Sequence, residues 1–291
     1  MDAPLRVGLV GAGPWAHIAH APAIAAHPQT LFAGIWARRL EAASELAAKH
    51  DAPAFAHLEA LFEASDAVVF SVPPDVQETL AIRAAGACKA LLLEKPIAAS
   101  LVGAERLSDA AADVPTLVAL RWRYSDAIRA FIATAQTQQP FAGRGIFVSA
   151  SFLPGNPFAT PWRLDRGALL DLGPHVVDLL DAALGRVTGV RAHGHLRSWI
   201  GLLLEHESGA HSEVSLCANV PGEPSQAGVE LFGPAGALRI DCTTATRPRD
   251  FVTMYDEFIS AARGSAPATC DVRRGLELQR VLHEAEQQLL A

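Results

Sequence analysis

The first 120 residues alternate between short apolar runs and alanine-rich stretches with helical spacing. Residues 5–10, 31–36, 67–71, 90–93 and 116–120 read as strands. They are near-continuously apolar, as strands covered on both faces are. Residues 15–26, 40–50, 76–85 and 101–112 between them carry helical periodicity. Strands spaced by helices of this length predict βαβ units and a parallel sheet with helices on both sides. After residue 120 the rhythm changes. A loop-rich stretch, 136–145, leads to a strand-like run at 146–152, then to a Pro/Gly/Asn segment at 154–161. One helix is expected over 172–184, ended by Gly185. Strand candidates follow at 190–195, 199–205, 211–217, 228–232 and 237–241, with turns at Ser208-Gly209 and Pro234-Ala235-Gly236. Two helices, 251–263 and 272–290, close the chain. The expected fold class is therefore α/β: a doubly wound parallel sheet in a domain over 1–120, and an α+β domain over 121–291 on an open, mostly antiparallel sheet. The closing helix is free to pack back on the first domain.

Composition removes several function classes. No run of about 18 apolar residues exists, which excludes a membrane-spanning helix. The first nine residues are too poor in apolar side chains for a signal peptide. A net charge of −7 argues against a nucleic-acid surface. Cys88, Cys217, Cys242 and Cys270 lie far apart without a Cys-x-x-Cys pair, so buried thiols in a reduced, cytoplasmic chain are expected, and no metal site. Lysine is rare: only Lys49, Lys89 and Lys95 stand among 24 basic residues, so each can be weighed singly. Lys49 and Lys89 read as surface charges.

Four motifs could carry chemistry. Gly11-Ala12-Gly13-Pro14-Trp15-Ala16 follows a strand and opens a helix. Gly11 permits the tight turn, Gly13 lets backbone approach a pyrophosphate, and Ala16 allows close packing of helix on strand. At the end of the second strand, Ala37 stands where NAD-binding folds usually place an acid for the ribose hydroxyls. Arg38 and Arg39 follow, well placed for a 2′-phosphate. NADP(H) is thus expected over NAD(H). Glu94-Lys95-Pro96 ends the strand expected at 90–93, at the sheet edge where ligands bind, and Pro96 allows a cis bond. Asp171 and His175 are four apart, so both face one way at a helix start, with Pro174 in the first turn. A carboxylate beside an imidazole suits proton transfer; a helix cap and a packed histidine are the plainer reading.

Together these residues resemble the glucose–fructose oxidoreductase / inositol dehydrogenase / MocA family over nearly the whole chain. The marks are the Gly11–Ala16 loop, Ser71-Val72-Pro73-Pro74, Glu94-Lys95-Pro96, the Asp171/His175 helix, and the 228–236 segment Gly-Val-Glu-Leu-Phe-Gly-Pro-Ala-Gly. Gln77 departs from the histidine common in the family, and Asp126 from its proline. The resemblance implies an N-terminal Rossmann domain, a nicotinamide cofactor, and hydride transfer at a carbinol or carbonyl carbon of a sugar, polyol or cyclitol. It implies catalytic roles for Lys95, Asp171 and His175, with His175 the general base, Asp171 its partner and Lys95 the electrophile. Ser71, Pro73 and Glu94 fall on cofactor positions. Arg121, Arg123, Trp162 and Arg163 are the substrate-pocket candidates. The alternatives are a catalytically inactive nucleotide-bound regulator and an assembly subunit. Because residues 199–204 (Trp-Ile-Gly-Leu-Leu-Leu) are apolar on both alternating faces, the open sheet is expected to be covered in a homodimer or homotetramer.

Overall fold

The computed structural model describes residues 3–222 and 225–291. The chain divides into two compact units: residues up to 119 with 251–276, and residues 120–250 with 277–291.

In the first unit, β1 (Leu5–Val10), β2 (Thr30–Trp36), β3 (Ala54–Phe55), β4 (Ala67–Phe70), β5 (Ala90–Leu93) and β6 (Thr116–Val118) form one sheet. Its order is β3-β2-β1-β4-β5-β6 and every pairing is parallel. β4 and β5 are buried at every residue, which explains their unbroken apolar sequence. The crossovers are helices, including Leu40–Ala48, Pro74–Gly86 and Leu101–Ala110. Pro74 starts the second, where its missing N–H costs nothing. Ser100 caps the third by accepting the Gly103 N–H at 3.1 Å. The strand order reverses beside β1, and the segments leaving β1 and β4 meet there.

In the second unit, β7 (Ala142–Val148), β8 (Val187–Gly194), β9 (Ile200–His206), β10 (His211–Cys217), β11 (Gln226–Gly233) and β12 (Gly236–Asp241) form a sheet of order β12-β11-β7-β10-β9-β8. All pairings are antiparallel except β7 with β10 at its centre. The helix Gly173–Leu184 covers one face. It comes so close that a Cβ on Gly145 would sit 2.3 Å from Val176, and one on Gly143 would sit 3.2 Å from Leu180. The other face carries a row of opposing side chains across the strands: Arg239, Glu230, Arg144, Glu213, Leu203 and Arg191. Arg144 pairs with Glu230 at 2.6 Å, and Arg239 pairs with the same carboxylate. The open face is therefore charged rather than apolar, with Leu203 half-exposed in it.

Several expectations change. The stretch from 136 is not a loop: the helix Asp126–Gln138 runs into it and ends on Gln139 in left-handed conformation (φ 48°), and β7 takes it up from Ala142. A second unforeseen helix is Pro161–Asp171. Of the four cysteines, Cys217, Cys242 and Cys270 are buried, but Cys88 is exposed, just past the end of the helix Pro74–Gly86. Among the described residues no helix is long and apolar enough to cross a membrane.

Candidate active site

The glycine loop leaves β1 with Gly11 at φ +120°, and a Cβ there would lie 2.2 Å from the Ser71 carbonyl oxygen. Only glycine allows this approach of the β1 and β4 ends. A Cβ at Gly13 would meet no atom within 4 Å. The loop is thus closed against the sheet on one side and open on the other, which fits a bound pyrophosphate. Ala16 is fully buried, Pro14 is exposed and Trp15 half-buried. Ser71 is buried and donates its N–H to Val10. Pro73 is exposed just before the helix that Pro74 opens.

The helical segment after the loop is not regular. Residues Ala16–His20 form one wide π turn before the α-helix Ala21–Ala26. Trp15 and His20, five apart, both reach Glu94 Oε1: the indole N–H donates at 2.6 Å and the His20 Nε2 lies at 2.9 Å. Burial alone pushes the Glu94 carboxyl up. The His20 hydrogen bond and charge, the Lys95 ammonium and the Trp15 N–H outweigh it and hold the group below the usual carboxylate range.

At the end of β2, Ala37 is half-buried, and Arg38 and Arg39 are exposed. Arg39 is extended and precedes the helix Leu40–Ala48. Neither arginine is engaged by a carboxylate among the described residues.

The turn after β5 is fixed by Gln77, which is fully buried. Its Oε1 accepts the Glu94 N–H at 2.8 Å, and its Nε2 donates to the Glu94 carbonyl at 2.7 Å. The same amide lies 3.1 Å from the Ile97 carbonyl. The Lys95–Pro96 bond is cis. Lys95 is half-buried beside a carboxylate whose Oε2 accepts its backbone N–H at 3.2 Å. Lys89, by contrast, donates to the Ser65 carbonyl at 2.8 Å, and Lys49 is exposed.

The second unit holds the other motif. Gly167, at φ +71°, kinks the helix Pro161–Asp171, and a Cβ there would lie 2.1 Å from the Leu196 carbonyl oxygen. Asp171 ends this helix and His175 stands in the first turn of Gly173–Leu184, with Leu172 helical between them. Pro174 lacks the N–H that would continue the ladder, so the boundary falls there. Asp171 does not cap the helix. It is buried and lies 3.2 Å from the Arg163 guanidinium. That guanidinium also lies over the rings of Trp162 (4.6 Å) and Phe158 (5.6 Å). His175 is packed against Trp122 and Phe147, with ring centroids at 5.1 and 6.3 Å. Arg123 donates to buried Asp178 at 3.1 Å. The pocket candidates Arg163 and Arg123 therefore both hold carboxylates of this unit, and Arg163 holds the one beside His175. Arg121 is half-buried. The nearby Cys242 thiol is pushed up to about 12 by burial and by Asp241, against the pull of Arg121, so it is no thiolate nucleophile.

Residues 5–120 match the family model described as the oxidoreductase family with an NAD-binding Rossmann fold. Residues 133–239 match the Gfo/Idh/MocA C-terminal domain. The chain belongs to the Gfo/Idh/MocA oxidoreductase family. It is 25% identical over 186 residues to the glucose-6-phosphate 3-dehydrogenase of Bacillus subtilis. That stretch covers 60% of this chain and 52% of that protein, about half its length. Among solved structures it shares the fold of GenD2 from gentamicin A biosynthesis, in complex with NAD. There the TM-score is 0.89 and the identity 21%, over 100% of this chain and 95% of that one. The UDP-N-acetylglucosamine 3-dehydrogenase GnnA of Acidithiobacillus ferrooxidans gives 0.85 at 21% identity, over 99% of this chain and 100% of that one. Levoglucosan dehydrogenase, in complex with NADH and L-sorbose, gives 0.88 at 17% identity, over 99% and 97%.

Within this Gfo/Idh/MocA chain, the sequence pattern pointed to Glu94, Lys95, Asp171 and His175, but not to the side chains that hold them. Gln77 stood out only as a departure. His20 was signalled by nothing but its place in the loop helix, and Tyr255 and Phe147 by nothing local.

Proposed function

We propose that this protein is a dehydrogenase or reductase that moves a hydride between NADP(H) and the carbinol or carbonyl carbon of a sugar, polyol or cyclitol. The observation that carries the reading is the pair of buried groups Asp171 and His175, one helical turn apart. A buried carboxylate and imidazole cost stability unless held by partners, and cofactor-only or assembly roles have no use for them. The sugar class draws support from the printed names of relatives: a glucose 6-phosphate, a UDP-N-acetylglucosamine and a levoglucosan dehydrogenase. The NADP(H) preference rests on Ala37 in place of an acid and on exposed Arg38.

The nicotinamide, when bound, supplies the hydride acceptor or donor. Gly11 closes the loop against the Ser71 carbonyl, and Gly13 on the open side would let the backbone approach its pyrophosphate. His175 takes the proton from the substrate hydroxyl, or returns it in the reverse direction. Asp171 stabilises the charged imidazole, with Arg163 fixing its carboxylate. Lys95 donates to the substrate oxygen as negative charge builds on it. General acid–base help of this kind is worth about 10²–10⁴ in rate. Arg121 and Trp162 contact the sugar hydroxyls.

Turnover of NADPH and NADP with a panel of keto sugars, sugars and cyclitols tests the reading. Substrate-dependent change at 340 nm is expected with at least one member. Tight NADPH binding with no turnover of any member would favour the inactive regulator.

The charged outer face of the second sheet is proposed to meet a second copy of the chain. A row of both signs can pair with its own rotated image. Light scattering is expected to give at least a dimer at micromolar concentration and low salt; a strict monomer would end this proposal.

A further inference from the structure

We propose that His20 and Tyr255 are positioning residues: through Glu94 they lock the dinucleotide loop and the Lys95 backbone into one geometry. Glu94 takes three donors. Its Oε1 is shared by the Trp15 indole and His20, and its Oε2 receives the Lys95 N–H. Trp15 belongs to the glycine loop and Lys95 to the turn after β5, so one carboxylate ties the two segments together.

What keeps that carboxylate oriented is His20, which has no exposed surface. Its Nε2 faces Glu94 and its Nδ1 lies 3.1 Å from the Tyr255 hydroxyl. With a hydrogen on Nε2 the ring donates to Glu94, while its Nδ1 stays within hydrogen-bond reach of the Tyr255 hydroxyl. Both ring nitrogens then have a partner, and the phenol fixes the orientation of the ring. Tyr255 sits on the helix Asp250–Ala262 and is itself fully buried. Burial, then the charge of Glu94, holds its phenol well above the usual range. Phe251, one turn earlier on the same helix, packs against both Trp15 (6.0 Å) and His20 (6.2 Å).

Two functions could explain such a chain, proton transport and orientation. Transport needs an exit. Here the chain ends at a sealed phenol that keeps its proton, so orientation is left. The π turn supports the same assignment, since wide turns of this kind recur at functional sites, and it is what brings residues five apart to a single oxygen.

The inference rests on the proposed dinucleotide binding, and its test separates the two. Full-length His20→Leu, His20→Gln and Tyr255→Phe are compared with wild type for melting temperature and for NADPH Kd by fluorescence quenching. Leucine keeps volume but offers no donor, whereas glutamine keeps an N–H near the Nε2 position. His20→Leu is expected to raise the NADPH Kd about tenfold or more, the loss of one hydrogen bond to a charged group. His20→Gln should stay within about threefold of wild type, a difference below 1 kcal/mol. Tyr255→Phe, which removes one oxygen, should raise Kd by an intermediate factor. If His20→Leu binds like wild type, or if His20→Gln is impaired as much as His20→Leu, the proposal is overturned. Should His20→Leu fail to fold, an unchanged Kd in Tyr255→Phe overturns it alone. A wild type that binds neither NADPH nor NADH overturns the dinucleotide reading itself; one that binds NADH alone removes only the NADP preference, and the same comparison of variants is then read with NADH.

Discussion

Lys95→Met is expected to fold, bind NADPH and lose about 10²–10³ in kcat, the usual cost of removing one donor to a developing oxyanion. The fold should survive because the turn is held through groups that replacement of the Lys95 side chain by methionine keeps. These are the Lys95 amide on Glu94, and the Glu94 peptide and Ile97 carbonyl on Gln77. Lys95→Arg retains the charge, but its planar fork is bulkier and it cannot usefully give up a proton. It should lose most of kcat too. The measurement is kcat for both variants beside their NADPH affinity, with a substrate from the panel. Near-normal kcat in Lys95→Met would reduce Lys95 to a residue of the turn and remove the Lys95/Asp171/His175 assignment.

Arg38→Ala should weaken NADPH binding by roughly 10- to 150-fold while leaving NADH binding nearly unchanged. The range corresponds to about 1.5–3 kcal/mol for hydrogen bonds from a guanidinium to a phosphate. Arg38 is exposed and engaged by no carboxylate among the described residues, so no ion pair has to break before it meets a 2′-phosphate. Titrating both cofactors against both proteins decides the matter. Equal loss for the two cofactors would make Arg38 structural, and tighter wild-type binding of NADH would remove the NADP preference.

Elements with a continuous buried run were legible in the sequence. β5 and β10 fall on the expected residues, and so does the last helix, Val272–Leu290. β3 and the helix Leu58–Ala64 were not, because two and seven residues are too few to display a period. The start of β7 was misread for a different reason. Gly143 and Gly145 suggest a loop when read locally, yet they are strand residues kept small by Val176 and Leu180 of the covering helix. The helix Pro161–Asp171 hid behind its proline and its kinked glycine. The candidate site shows the same division. Gly11, Gly13 and Glu94-Lys95-Pro96 signal themselves through neighbours in the chain. The pairings Gln77 with Glu94 and His20 with Tyr255 join residues 17 and 235 positions apart, which no local pattern encodes.

The wide turn at Ala16–His20 also restricts how this segment could change in evolution. A π turn amounts to one residue more than an α-helix would use. Removing one residue here, such as exposed Ile18, would let the backbone rewind as ordinary helix, with the indole and the imidazole then four apart and still on one face. An added residue would instead set them six apart, roughly 240° round an ordinary helix and away from a shared oxygen. The segment is therefore constrained in its length in one direction: point replacements at exposed Ile18 and loss of one residue beside it keep the pair on one face, whereas gain of a residue does not.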